Sequence, residues 1–170
     1  MSELETARLR LRPLRRSDLD ALERIYLDPE VARFLITRPQ TREDVSRNLD
    51  NMLEQAKHFG LWAIELKETG ELIGRAGFYG YTMGGSLEPE LAYLLRRDCW
   101  GKGLATEAAL AALAHLHAER DPRRVVATVV PEHAVSRHIL EKLGMREVGS
   151  IQIRGKDVLV YATDGASGQR

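Results

Sequence analysis

The sequence predicts an α/β fold: one mixed, mostly antiparallel sheet of seven strands with helices on both faces. Three observations predict it. Segments with the two-residue period of a strand are interleaved with segments of helical period, in the order strand, two helices, three strands, helix, strand, helix, two strands. Val125 to Val130 is mostly β-branched and nearly all apolar, so it reads as a central strand buried on both faces. The helix ahead of it links it to a strand near Leu91, and such a strand–helix–strand unit is a right-handed crossover, which makes the two strands parallel.

The elements follow in order. Arg8, Leu9, Arg10, Leu11 and Arg12 alternate like a strand with one wet face, closed by Pro13. Ser17 with Asp20 has the spacing of a helix start, and Leu19, Leu22, Ile25 and Tyr26 then share a face. Thr41 with Asp44 opens a longer amphipathic helix carrying Val45, Leu49, Met52, Leu53 and Ala56. Leu61 to Leu66 and Leu72 to Tyr79 form a hairpin through Gly70. Tyr81 to Ser86, with Gly84 and Gly85, is expected to be a mobile loop before a strand from about Glu88 to Leu95, where Pro89 is tolerable only near the start. An Ala-rich helix runs from Leu104 to about Glu119 and is stopped by Asp121-Pro122. His133 to Leu143 is helical, with Gly144 as its left-handed cap. Val148 to Ile153 and Val158 to Thr163 make a terminal hairpin turning near Gly155. The expected organisation is one domain over residues 1–163 and a polar, frayed tail over 164–170.

Composition excludes several function classes. The chain has 170 residues, enough to bury a core without staples, and 44% are hydrophobic, the balance of a globular protein. Its 25 Lys and Arg cancel its 25 Asp and Glu, so no global field draws it to nucleic acid or anionic lipid. The arginines at 8, 10, 12, 15 and 16 sit in a fifty-residue stretch with as many acids as arginines, a solvated surface and not a nucleic-acid arm. Cys99 is the single cysteine, which forbids an internal disulfide and a thiolate-rich zinc site. His115 and His117 are two apart and His133 and His138 five apart, and neither spacing makes a metal pair on a helix, so no metal is expected. No stretch approaches the roughly 18 apolar residues of a membrane span, and the first residues lack an apolar signal core, so a cytoplasmic location is expected.

The most informative stretch runs from the strand Leu91-Ala92-Tyr93-Leu94-Leu95 through Trp100-Gly101-Lys102-Gly103-Leu104-Ala105-Thr106 into a helix. Glycines at 101 and 103 let successive N–H groups converge at the positive end of that helix, where a pyrophosphate is stabilised, and Lys102 adds charge. Gly-x-Gly alone also fits a tight strand-to-helix turn. A Rossmann fingerprint would need Gly where Thr106 stands, and a Walker loop would need Ser or Thr after Gly-Lys.

This stretch resembles the GNAT superfamily of acyl-CoA-dependent N-acyltransferases, whose pyrophosphate loop has the form Gln/Arg-x-x-Gly-x-Gly/Ala. Trp100 departs from the first position, but Trp-Gly-Lys-Gly-x-Ala-Thr-Glu-Ala is similar to the branch holding the RimJ and RimL ribosomal-protein N-terminal acetyltransferases. Thr6 to Leu14, Asp28 to Val31, Gly70 to Gly74 and Ser136 to Met145 resemble that branch in the same order, so the resemblance covers about residues 6–163. It implies a splayed parallel strand pair with acetyl-CoA as co-substrate in the gap. Pantetheine would pair with backbone near Leu94 and Leu95, and amides from Gly101 to Thr106 would hold the pyrophosphate.

The same resemblance puts a general base at Glu90, which burial would have to raise toward neutrality; a solvent-exposed carboxylate at a strand end is the plainer reading. A free N–H near Leu94 would receive the oxyanion. Where many members carry a tyrosine as acid this chain has Leu140, which leaves Ser136 as the hydroxyl for sulfur or pantetheine. His133 stands where the family often has Asn. Cys99 has no recognisable base beside it and reads as a spectator. Tyr26, Phe34, Trp62, Tyr79 and Tyr81 are candidates for an acceptor pocket or for the core. The expected reaction is direct acetyl transfer to a primary amine. By resemblance the acceptor is a protein N-terminus such as that of a ribosomal protein, with room for a homodimer. The alternatives are a small-molecule amine acceptor and a silent acyl-CoA-binding module.

Overall fold

A computed structural model describes residues 1–83, 85–120 and 122–163. Its strands are β1 (Leu4–Glu5), β2 (Leu9–Pro13), β3 (Leu61–Leu66), β4 (Leu72–Met83), β5 (Ser86–Leu95), β6 (Val126–Val129), β7 (Arg146–Ile153) and β8 (Lys156–Ala162). They form one sheet in the order β1-β2-β3-β4-β5-β6-β8-β7. Every neighbouring pair is antiparallel except β5 and β6. The sheet therefore has eight strands and not the seven expected. The extra one is β1, whose two residues pair with Leu11 and Arg10 and are too few to show a period.

Helices α1 (Leu19–Tyr26), α2 (Pro29–Ala32) and α3 (Arg42–Phe59) precede β3, α4 (Leu104–Arg120) joins β5 to β6, and α5 (Ala134–Lys142) joins β6 to β7. Two hydrophobic clusters result. Leu22, Tyr26, Val45, Leu49 and Met52 of α1 and α3 pack with Leu61 and Ala63 of β3. On the other face Ala108, Ala109, Ala112 and Leu116 of α4 meet Leu9, Leu11, Trp62, Ile64, Phe78 and Leu91, and Leu140 of α5 joins them. The small alanine face of α4 lets the helix lie close to the strands it crosses.

Local chemistry fixes the helix starts. Thr41 Oγ1 accepts the Asp44 N–H and the Asp44 carboxylate accepts the Thr41 N–H, the reciprocal box read from the sequence. At α1 the expected Ser17–Asp20 pair is replaced by Asp18, which accepts the Arg15 N–H at 2.8 Å. Asp18 also takes a two-pronged bond from Arg12, whose Nε reaches Glu65. Arg12 is thus buried, against the expectation of a wet strand face. Removing one partner from so enclosed a pair costs about 3–5 kcal/mol.

The Tyr81–Ser86 segment is corrected from a mobile loop to a hairpin end. β4 and β5 stay in register to Met83↔Ser86, and Gly85 turns at φ +87°; Gly84 lies outside the described residues. Pro89 falls well inside β5, opposite Gly80. The Gly80 N–H points away from β5 to Gln55 Oε1 at 2.9 Å, so this is a non-hydrogen-bonded pair and the missing Pro89 donor costs the ladder nothing. α5 ends at Gly144, with φ +80°, as expected. The expected stop at Asp121 and the tail over 164–170 lie outside the described residues.

Candidate active site

β5 and β6 touch through a single parallel bridge, Glu90↔Val126, and have no further pairing toward Leu95. A gap opens there, edged by unpaired backbone. Which groups face it follows from the phase of β5. The Gly80 N–H goes to Gln55, the Phe78 N–H goes to Gly60 across β3, and the Arg96 N–H goes to Ile73 on β4. These three bonds make even-numbered residues of β5 pair with β4 and turn the backbone of Leu91, Tyr93 and Leu95 to the gap. Leu94's own N–H therefore belongs to the β4 ladder, and the neighbouring N–H groups of Tyr93 and Leu95 form the open edge. Side-chain alternation alone cannot reveal this phase, because both neighbours of a central strand accept either choice.

Trp100 leads from β5 into the glycine loop. Its indole N–H donates to the Leu95 carbonyl at 2.9 Å, so the tryptophan brackets the end of β5 to the loop. Gly101 and Gly103 sit at φ +71° and +75°, a backbone region that residues with Cβ avoid. Space is open around Gly101, and beside Gly103 the nearest foreign atom is an Arg8 nitrogen at 3.6 Å from an added Cβ. Lys102 is exposed, and Leu104 is buried at the start of α4 with Ala105 and Thr106 behind it. Sequence reading missed the brace behind this loop. Arg8 donates to the Lys102 carbonyl at 2.8 Å and to Glu107 in the first turn of α4, which also accepts from Thr6 Oγ1. The result is a preset curl of backbone at a helix N-terminus, a geometry that can receive an anion.

Glu90 lies at the mouth of the gap, largely enclosed, and accepts a hydrogen bond from Thr128 Oγ1 of β6. Burial pushes its carboxyl above the ordinary range, opposed in part by the Thr128 bond and by the charge of Arg75. It faces the α1/α3 side with Tyr79, its register partner on β4, and with Arg75, which lies between the rings of Tyr26 and Tyr79. A carboxyl so placed holds a proton more readily than a free one.

Across the sheet, Tyr93 brings a hydroxyl that the sequence reading did not assign. It lies 2.9 Å from Ser136 Oγ and 3.2 Å from the Ser136 carbonyl. Donating to that carbonyl leaves the phenol oxygen free to accept from the serine. Burial pushes the Tyr93 phenol up to about 12. Leu140 is core. The signal for Tyr93 was its alternation with Leu91 and Leu95, which puts all three on the α4 face of the sheet. His133 accepts the Ser136 N–H through Nδ1, at 3.4 Å, and so caps α5 as Asn would. Its ring stacks on Phe34 with centroids 3.9 Å apart, and burial lowers its pKa. Among the other candidates, Trp62 is core against His115, and the buried Cys99 thiol is pushed up by desolvation and by Asp98.

Residues 8–146 match the family described as "Acetyltransferase (GNAT) domain". The chain belongs to the GNAT acetyltransferase family. It is 33% identical over 164 residues to the uncharacterized protein YkkB of Bacillus subtilis, covering 94% of each chain. With the uncharacterized N-acetyltransferase p20 of Bacillus licheniformis it shares 32% identity, covering 95% of this chain and 94% of the relative. A GNAT-family acetyltransferase structure from Bordetella pertussis superposes with a TM-score of 0.82 at 25% identity, over 96% of this chain and 99% of that one. RimJ of Mycobacterium smegmatis, solved with CoA-disulfide, shares the fold, with a TM-score of 0.76 at 24% identity over 99% and 88% of the two chains. As a GNAT enzyme the protein transfers acetyl groups, and the family uses acetyl-CoA as the donor. No helix among the described residues is long and apolar enough to cross a membrane.

Proposed function

We propose that this GNAT enzyme acetylates a primary amine by direct attack on acetyl-CoA, with Glu90 as the base and the Tyr93–Ser136 pair as the proton source for the leaving thiolate. The observation that carries the reading is the placement of these groups on opposite faces of one gap: an enclosed carboxyl at its mouth, two linked hydroxyls behind it, and the glycine loop beyond.

The residue roles follow from charge. Amines with a pKa of about 7.7–8.0 for an N-terminus or about 10.4 for lysine are mostly protonated near neutrality, and only the neutral form attacks. Glu90 accepts that proton, directly or through one water. The gap-facing amides of Tyr93 and Leu95 offer donors both to pantetheine and to the oxyanion that forms as the carbonyl is attacked. The proton then needed at sulfur comes through Tyr93 and Ser136. The curl from Trp100 to Thr106 holds the pyrophosphate, with Lys102 adding charge, and His133 shapes the start of α5 beside the serine. The catalytic unit spans residues 1–163, and the single cysteine suits a cytoplasmic enzyme.

The acceptor we propose is a protein N-terminus, on the motif similarity of Trp100 to Ala108 and of Ser136 to Met145 to the RimJ/RimL branch. The test is incubation with acetyl-CoA and a panel of N-terminal peptides, ribosomal proteins and small amines, read by mass spectrometry. Acetylated peptide termini are expected; CoA binding without transfer to any amine would leave a silent binding module.

A further inference from the structure

Two arginines of this chain are equally enclosed, and their surroundings differ. Arg12 and Arg75 are 8% and 7% exposed. Arg12 is held by both oxygens of Asp18 and by Glu65. Among the described residues Arg75 has a single hydrogen-bond partner, the Tyr26 hydroxyl, 2.8 Å from its Nε. Its Nη1 is cut off from solvent with no acceptor, and no carboxylate of the described residues forms an ion pair with it. Rings take the remaining sides: Tyr79 with its centroid 5.5 Å from the guanidinium carbon, and Tyr26 at 6.0 Å. A buried guanidinium presents a flat fork that matches a carboxylate, and leaving that fork empty is unfavourable unless something fills it in the working state.

Its position says what fills it. Arg75 and Tyr79 are four residues apart on β4 and face the same side, and Tyr79 is opposite Glu90 in the ladder. Glu90 is bonded to Thr128 and acts on Arg75 only through the field. The unpartnered end of the guanidinium therefore lies on the α1/α3 side of the sheet, the side that the proposed base faces. We propose that Arg75 anchors a carboxylate of the acceptor, so that the substrate is a primary amine carrying a carboxylate within one small molecule or one peptide terminus. The anion bound at Arg75 turns the amine toward Glu90, and selectivity arises because amines without the carboxylate leave the fork empty. This inference rests on the acetyl-transfer reading above.

Two sources share this chemistry: a free amino acid, and a peptide whose first or second residue is Asp or Glu. The experiment uses the full chain with acetyl-CoA and compares two matched sets, α-amino acids with their amides and Asp- or Glu-initiated tripeptide amides with their Asn or Gln counterparts, with alkylamines as the carboxylate-free control. Thiol release gives kcat and KM. The expected result is kcat/KM at least about tenfold higher for the carboxylate member of one matched set, and the set that shows it names the source. Arg75→Gln should bring that ratio to near one, and Arg75→Lys, which keeps charge but not the fork, to an intermediate value. Circular dichroism of both variants checks folding, and Arg75→Lys decides alone if Arg75→Gln does not fold.

Equal kcat/KM within every set, or a preference that Arg75→Gln retains, overturns the proposal. So does an Arg75→Gln effect that moves the acidic limb of the pH profile alike for all amines and leaves the ratios unchanged, which would make Arg75 a partner of Glu90 only. If CoA binds and no amine is acetylated, it is the acetyl-transfer reading that fails. Calorimetry of N-acetyl-glutamate against its bis-amide with the CoA-loaded protein then still decides: tighter binding of the acid that is lost in Arg75→Gln supports the anchor, and equal binding overturns it.

Discussion

At the loop that leads into α4 the backbone curl is local, with Arg8 as a brace from far along the chain. Gly101 and Gly103 adopt left-handed backbone, α4 starts at the next residue, and seven consecutive residues make the cradle. At the Glu90 end nothing is local. Tyr26 comes from α1, Arg75 and Tyr79 from β4, Glu90 from β5 and Thr128 from β6, and only the sheet register brings them together. On the roles proposed above, binding a common donor is written in a contiguous motif, while handling the acceptor is written in long-range packing. A substitution in the first region should act on affinity for acetyl-CoA, and one in the second on turnover and its pH dependence.

The sharpest way to break this division is Glu90→Gln. It should lower kcat/KM by about 100-fold or more, abolish the acidic limb, and leave the Kd for acetyl-CoA within error, as measured by steady-state kinetics and calorimetry. A matching loss of CoA affinity would dissolve the distinction. The same substitution has an opposite effect on stability. The Glu90 carboxyl is raised in the fold, so it favours folding at low pH, and that contribution is lost as pH rises through its folded pKa. Activity, which on the proposed mechanism needs the ionised form, should rise over the same interval. Glu90→Gln should therefore melt higher than the parent at neutral pH and show no such gain in acid.

Gly103→Val should do the reverse. A β-branched residue at φ +75° carries about 1–3 kcal/mol of strain, and the loop is expected to relax at the cost of about tenfold in Kd for acetyl-CoA, with the acidic limb in place. Tyr93→Phe tests the ground between the two regions. It removes a hydroxyl but leaves Ser136, so kcat should fall several-fold with CoA affinity near that of the parent, and adding Ser136→Ala should deepen the loss. The smallest effect is expected from Thr128→Val. The Thr128 hydrogen bond holds the Glu90 carboxyl down, so its removal should move the acidic limb to higher pH with little change in the plateau rate.

Much of the molecule was legible in the chain of residues. The Thr41–Asp44 box, the strand Leu61–Leu66, the crossover through α4 and the Gly144 cap are short-range features, set by dihedral preference and hydrophobic period. The errors have one cause, that pairing partners are invisible to a local pattern. β1 is too short to show a period, and the Gly84-Gly85 segment reads as a loop until β4 and β5 are seen to pair through to Ser86. Arg12 looks wet until Asp18 and Glu65 enclose it. For the same reason Leu140 marked where a tyrosine was missing, while a tyrosine hydroxyl arrives at Ser136 from another strand.

By itself, then, the sequence determined the α/β architecture, the glycine curl before α4 and the family, because each depends on neighbours a few residues apart. Tertiary structure alone decided that the backbone of Tyr93 and Leu95, not that of Leu94, edges the gap. It also decided that Tyr93 serves Ser136 and that Arg75 is buried beside Glu90 with its fork unfilled. Those facts depend on which strand lies next to which and in what phase, and a two-residue alternation is compatible with either phase until hydrogen bonds across the sheet choose one.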